Sequence, residues 1–180
     1  MLILASKSPR RKEILKELGY SFIIHPSIGE EIFDQTKPID EALIQVSSAK
    51  AKEVFQVYPE DLIISADTIV LLDNTILGKP ESKQQAIDYL TSLSNRYHEV
   101  KTGVCILSKK GMKSDVETTK VYFKDLTQSQ ILEYVNSGKC MDKAGAYGIQ
   151  ECDFVDHIEG SYSNVVGLPK DVIKRMLEEL

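Results

Sequence analysis

Short apolar runs alternate with capped helical stretches along most of the chain, and this alternation restricts the fold more than any other feature. Leu2 to Ala5 suits a buried strand. Ser8-Pro9 after it is a helix start, with Ser as N-cap and Pro at the first helical position. That helix is expected to run to Leu18, stop at Gly19 and turn Ile14, Leu15 and Leu18 inward, with Tyr20 to Ile24 as a second strand. A polar stretch carrying Glu30 and Glu31 leads to a helix over Ile39 to Val57, with Leu43, Val46, Ala49 and Val54 inward and Pro59 as its end. Leu62 to Ala66 reads as a strand. Beyond Asp67-Thr68, Ile69 to Leu72 and Thr75 to Leu77 form a hairpin about Asp73-Asn74. Ala86, Ile87, Leu90 and Leu93 mark another helix. Tyr97 to Leu107 and Val116 to Phe123 are longer strands joined through Lys109-Lys110-Gly111. Thr127 and Gln130 make a capping box for a helix ending at Gly138. Gly160 to Pro169 reads as a strand entering a C-terminal helix, in which Val172, Ile173, Met176 and Leu177 face inward. The class is α/β with a mixed sheet. Without an internal repeat, a low-complexity tract or a Gly/Ser linker, the 180 residues are expected to form one domain over 1–180.

Charge and cysteine usage remove several functions. The 22 Lys and Arg stand against 27 Asp and Glu, a net charge of −5, which does not suit a general nucleic-acid binder. No apolar run approaches the roughly 20 residues of a membrane-spanning helix, and the Met1 to Ala5 end lacks a basic leader and a cleavage pattern, so a cytoplasmic protein is expected. Cys105, Cys140 and Cys152 are odd in number, without CxxC spacing or a zinc-like partner pattern among His25, His98 and His157. They read as free packing thiols, with a Cys–His nucleophile as an alternative that nothing near them supports.

Several segments carry candidate chemistry. Residues 1–20 hold five basic and two acidic side chains. At Ser6-Lys7-Ser8-Pro9-Arg10-Arg11-Lys12 a helix N-terminus, hydroxyls and guanidinium forks coincide, as a polyphosphate cradle requires. An ordinary cap followed by a solvated basic face is the alternative, and spacing alone favours it. Asp67-Thr68, at the carboxyl end of an apolar strand, could hold a divalent metal or take a proton from water, or simply make a turn hydrogen bond. Lys50 and the Lys79 of Gly78-Lys79-Pro80 could each neutralise a phosphate oxygen or lie solvated on the surface. Glu30 and Glu31 could complete a hard-cation site with Asp67, or remain a solvated acidic pair. In Asp142-Lys143-Ala144-Gly145-Ala146-Tyr147-Gly148-Ile149-Gln150, the Gln150 amide could pair with the imide edge of uracil or thymine, while Tyr147 stacks or packs. A plain glycine-rich connection is equally compatible.

Together, Ser6-x-Ser8-Pro9-Arg10-Arg11-x-Glu13, Ala66-Asp67-Thr68, Gly78-Lys79-Pro80, Asp142-Lys143-Ala144-Gly145-x-Tyr147-x-Ile149-Gln150 and Asn164-Val165-Val166-Gly167-Leu168-Pro169 resemble the signatures of the Maf family of nucleotide pyrophosphatases, in the same order. The resemblance implies a mixed, twisted sheet flanked by helices, similar to the inosine triphosphate pyrophosphatase architecture, in a homodimer. It also implies hydrolysis of a nucleoside triphosphate to the monophosphate and pyrophosphate with a divalent cation, Mg²⁺ or Mn²⁺. Asp67 matches the family's catalytic carboxylate; Ser8, Arg10, Arg11, Lys50 and Lys79 match phosphate-handling positions; Glu31 falls where an acidic residue stands near the metal. Arg10, Thr68 and Gln150 match the pattern of the branch acting on dTTP and UTP. The alternatives are a branch acting on 7-methyl-GTP and a non-catalytic nucleotide sensor associated with septum formation and cell division. No nucleic acid or membrane partner is implied. Ser94-Asn95-Arg96 departs from the family, which commonly has Gly at the middle position; Asn tolerates the left-handed conformation.

Overall fold

A computed structural model describes all 180 residues. Its elements are β1 (Leu2–Leu4), α1 (Pro9–Glu17), β2 (Phe22–Ile24), α2 (Ile39–Val57), β3 (Leu62–Leu72), β4 (Thr75–Leu77), α3 (Lys83–Leu93), β5 (Tyr97–Ser108), β6 (Gly111–Phe123), α4 (Gln128–Asn136), a single 3-10 turn (Ala144–Ala146), β7 (Val155–Glu159), α5 (Tyr162–Val166) and α6 (Lys170–Glu178). Seven strands form one sheet in the order β2-β1-β3-β5-β6-β7, with β4 paired to β3. β1 pairs parallel with β2 (Ile3↔Ile23) and with β3 (Ile3↔Ile63), whereas β3–β4 and β6–β7 are antiparallel. The sheet is mixed, as expected. No helix is long and apolar enough to cross a membrane.

The local signals act as their chemistry requires. Ser8 caps α1 by accepting from the Arg11 N–H, and Pro9 fills the first helical position, where an N–H would have no partner. Both halves of the Thr127–Gln130 capping box are present in α4. Asp73 and Asn74 take positive φ values of 48° and 65° between β3 and β4, the pair of left-handed residues that a tight hairpin demands. The departing Asn95 is left-handed at φ 55°.

Five expectations need correction. β3 is continuous from Leu62 to Leu72 and does not break at Asp67-Thr68: a polar pair interrupts an apolar run, but the sheet ladder is made by backbone groups and continues through it. β6 begins at Gly111 rather than Val116, because its polar first half is only partly buried and carries no apolar signature. The half-exposed strand β7 was not anticipated. Tyr162 to Val166 is a short helix, not a strand. Ala49 faces solvent; the inward face of α2 is Ala42, Leu43, Val46, Ser47, Ser48, Ala51 and Val54.

By internal packing the chain groups into two compact units. The first comprises Met1–Thr68, Thr102–Glu117 and Gly167–Leu180; the second comprises Ile69–Lys101 and Thr118–Val166. Ile3, Ala5, Ala51, Val54, Ile63 and Cys105 form a core within the first. There α2 approaches the sheet closely: a Cβ at Gly103 would lie 2.8 Å from Leu43 Cγ and 3.0 Å from the Leu43 carbonyl oxygen. The larger core of the second unit includes Val70, Leu90, Val121, Phe123, Tyr134, Tyr147 and Phe154. Burial pushes all three cysteine thiols above their ordinary pKa, which opposes thiolate formation and agrees with their reading as packing residues.

Candidate active site

The first unit assembles a cluster from the loop after β1, α1, α2, β3 and the segment 25–38. Asp67 lies in mid-strand, where the extended backbone fixes its direction while the side chain keeps 18% of its exposure. Lys50 Nζ donates to Asp67 Oδ1 at 3.0 Å and lies 2.8 Å from Glu31 Oε1. Only 11% of the Lys50 side chain is exposed, so this ammonium is largely withdrawn from water and compensated by two carboxylates. One turn further along α2, the Glu53 carboxylate accepts from the Ile28 and Gly29 N–H groups, at 2.7 and 3.1 Å for the shorter bonds, and so anchors the loop that carries Glu31.

A second set of contacts centres on Arg11. Its Nε donates to Gly167 O at 2.7 Å, Nη1 to Ser6 Oγ at 3.2 Å and Nη2 to Thr68 Oγ1 at 2.9 Å. Thr68 Oγ1 also lies 2.9 Å from Thr102 Oγ1 on β5, and Thr102 is fully buried. Ser6 is buried too, and its hydroxyl accepts from the Ser8 N–H at 3.2 Å. Burial draws the Arg11 guanidinium below its usual pKa, while the Asp67 charge opposes that shift and the neighbouring Arg10 reinforces it. Gly167 adopts φ +129°, a conformation that side chains rarely take.

The structure therefore groups Ser8, Arg11, Glu31, Lys50, Asp67 and Thr68 within one unit, and Arg10 lies half-buried on the same first turn of α1. Lys79 and Gln150 belong to the second unit, both exposed, Lys79 at a bend after β4 and Gln150 on a turn. Ser6, from the cradle segment, and Thr102, which the sequence does not mark, complete the hydroxyl network. For Ser6 the clue lay in two hydroxyls bracketing one residue ahead of a proline; for Thr102 the sequence carried none.

In the second unit the Asp142 to Gln150 segment is built around burial. Lys143 is buried and binds Asp142 and Glu151 at 2.9 Å each and the Lys139 carbonyl at 2.5 Å. Tyr147 is buried and lies 2.6 Å from His98 Nε2, so it packs rather than stacks on a ligand. Asn164 Nδ2 donates to Val100 O and Thr119 Oγ1 at 3.1 and 2.9 Å, a fold-forming role.

The chain matches the Maf-like protein family over residues 1–180. It belongs to the Maf family. Both compact units thus fall inside one family match. This Maf chain is 46% identical over 181 residues to a protein of Geobacillus sp. named dTTP/UTP pyrophosphatase, covering 99% of this chain and 97% of that protein. It is 45% identical over 179 residues to one of the same name from Pyrococcus furiosus, covering 98% and 94%, and 46% identical to another from Carboxydothermus hydrogenoformans, covering 99% and 97%. Its fold is similar to that of the Staphylococcus aureus Ham1 protein, with a TM-score of 0.52 at 16% identity over 99% of this chain and 98% of that one.

Two carboxylates and a half-open strand centre suit a hard divalent ion, which takes one or two protein carboxylates and completes its shell with water and phosphate oxygens. Glu31 and Asp67 already converge on one positive charge, the Lys50 ammonium. No group of three or more His, Cys, Asp or Glu side chains gathers anywhere in the chain, so the site offers two carboxylates, Glu31 and Asp67, and not three.

Proposed function

We propose that this chain hydrolyses dTTP and UTP to the monophosphate and pyrophosphate. The observation that carries the reading is the likeness, over nearly the full length of both chains, to proteins named dTTP/UTP pyrophosphatase. The chemistry needs a base beside cations, and the Asp67 cluster offers both. Asp67 orients a water and takes its proton as the water oxygen attacks the α-phosphorus; the α–β anhydride bond breaks and its electron pair leaves on pyrophosphate. Arg10, Lys50 and the Ser8 hydroxyl at the α1 N-terminus offset charge on the phosphate oxygens. Glu31 and Asp67 are the residues to hold Mg²⁺ or Mn²⁺, which would supply further charge neutralisation at those oxygens. Lys79 and Gln150 are carried forward as phosphate and base contacts on the strength of the family resemblance, and Thr68 as a specificity residue.

The deciding experiment incubates the chain with UTP, dTTP, CTP, GTP and 7-methyl-GTP in Mg²⁺ or Mn²⁺ and resolves the products. Monophosphate and pyrophosphate from UTP and dTTP are expected. Release of orthophosphate, or preference for 7-methyl-GTP, would overturn the reading.

A further inference from the structure

Arg10 and Arg11 are adjacent, and both carry the type of side chain that grips phosphate, yet the structure treats Arg11 in its own way. Its three nitrogens each donate to an oxygen of the protein: Gly167 O at 2.7 Å, Ser6 Oγ at 3.2 Å and Thr68 Oγ1 at 2.9 Å. These acceptors come from three parts of the chain, the turn before α6, the loop after β1 and the middle of β3. A guanidinium is rigid and planar, so three such bonds fix both its position and its plane. The Thr68 hydroxyl is fixed in turn between Arg11 and the buried Thr102, and Thr68 is the next residue after Asp67.

We propose that Arg11 is a positioning residue that acts through Thr68 and does not bind the triphosphate, leaving that task on α1 to Arg10 and the Ser8 cap. This replaces the phosphate role that the family resemblance gave Arg11, and it rests on the pyrophosphatase reading above. Arg11 fixes the rotamer of Thr68 and the Gly167 carbonyl, and thereby the backbone that presents Asp67. Its loss is then felt in turnover and in selectivity among bases, not in the grip on phosphate.

The test separates binding from turnover. Inorganic tripolyphosphate binding is measured by calorimetry for the wild type, Arg10→Ala, Arg11→Gln and Arg11→Lys, with kcat and KM for UTP, dTTP and CTP beside it. Arg10→Ala is expected to weaken tripolyphosphate about tenfold or more, the scale of one charge-assisted contact. Arg11→Gln is expected to leave that affinity within about twofold while kcat falls about tenfold or more. Arg11→Lys is not expected to restore kcat, because one ammonium cannot reach three separated acceptors. Thr68→Val reproduces the loss, and the Arg11→Gln/Thr68→Val pair is non-additive. Parallel loss of tripolyphosphate affinity in Arg10→Ala and Arg11→Gln, or rescue of kcat by Arg11→Lys, would overturn the proposal. If the wild type turns over no nucleotide, the functional reading fails instead, and a double-mutant cycle of thermal midpoints for Arg11 and Thr68 still decides the coupling: additivity there defeats it.

Discussion

Around Asp67 the polar groups are charged, partly open and paired with one another; around His98 they are neutral and sealed. Asp67, Glu31 and Lys50 satisfy each other at 2.8–3.0 Å, and the two carboxylates keep contact with water. His98 is 1% exposed, bonded through Nε2 to Tyr147 at 2.6 Å and set edge-on to Phe123 and Tyr147. Its pKa falls to about 3 because burial penalises the charged ring, and burial raises the Tyr147 phenol well above its usual value. Both clusters contain ionisable side chains, but only the first keeps carboxylates open to water. The second has given up its titration to stability.

That contrast is broken or sharpened by three measurements. The largest effect is expected from Phe123→Ala, which empties space within the aromatic core: a loss of about 3–5 kcal/mol in denaturant unfolding, with kcat per folded molecule retained. A fall in kcat at unchanged stability would make the sealed cluster functional. Next comes Asp67→Asn, expected to lower kcat/KM for UTP about 10²-fold or more while circular dichroism and the thermal midpoint hold near wild type, since a near-isosteric amide cannot accept the proton. Comparable turnover in the folded variant would remove Asp67 from the chemistry. The third effect is a slope, smallest when taken over a single pH unit. Between His98's folded value of about 3 and the ordinary 6.5, the unfolded chain binds a proton that the folded chain refuses. Stability therefore rises with pH through that window and is fully present above it, by about 1.4 kcal/mol per pH unit from this one residue. His98→Gln, which cannot titrate, should flatten the acid limb of the pH–stability curve by one proton; an unchanged slope would mean that His98 is not the group excluded from protonation.

How legible this was depended on whether a residue's role is local. Ser8-Pro9, Thr127 with Gln130 and Asp73-Asn74 act on their own backbone within four residues, and each does in the structure what its chemistry predicts. The continuity of β3 through Asp67-Thr68 was not readable, because it is decided by backbone pairing with strands distant in sequence. The same is true of β7, whose polar, half-exposed residues alternate too weakly to announce a strand. In the site, the acid and base residue types were recognisable from the motifs. The partner of each was not: nothing in the order of residues says that Lys50 lies between Glu31 and Asp67, or that Arg11 turns to Thr68 and Gly167.

The close approach of α2 at Gly103 bears on which sequences this fold can drift through. Because Leu43 contributes its carbonyl oxygen as well as its side chain to that contact, trimming Leu43 cannot make room for a methyl group at 103; the helix itself must retreat. Lys50 and Glu53 ride on the same helix, so the retreat would draw the ammonium away from Asp67 and loosen the hold on the loop carrying Glu31. Position 103 bears no reactive group, yet selection on the reaction would reach it. The bare backbone at this silent strand position thus sets how closely the helix carrying Lys50 can lie against the sheet, and a side chain there would be felt at the Lys50–Asp67 pair rather than at position 103 itself.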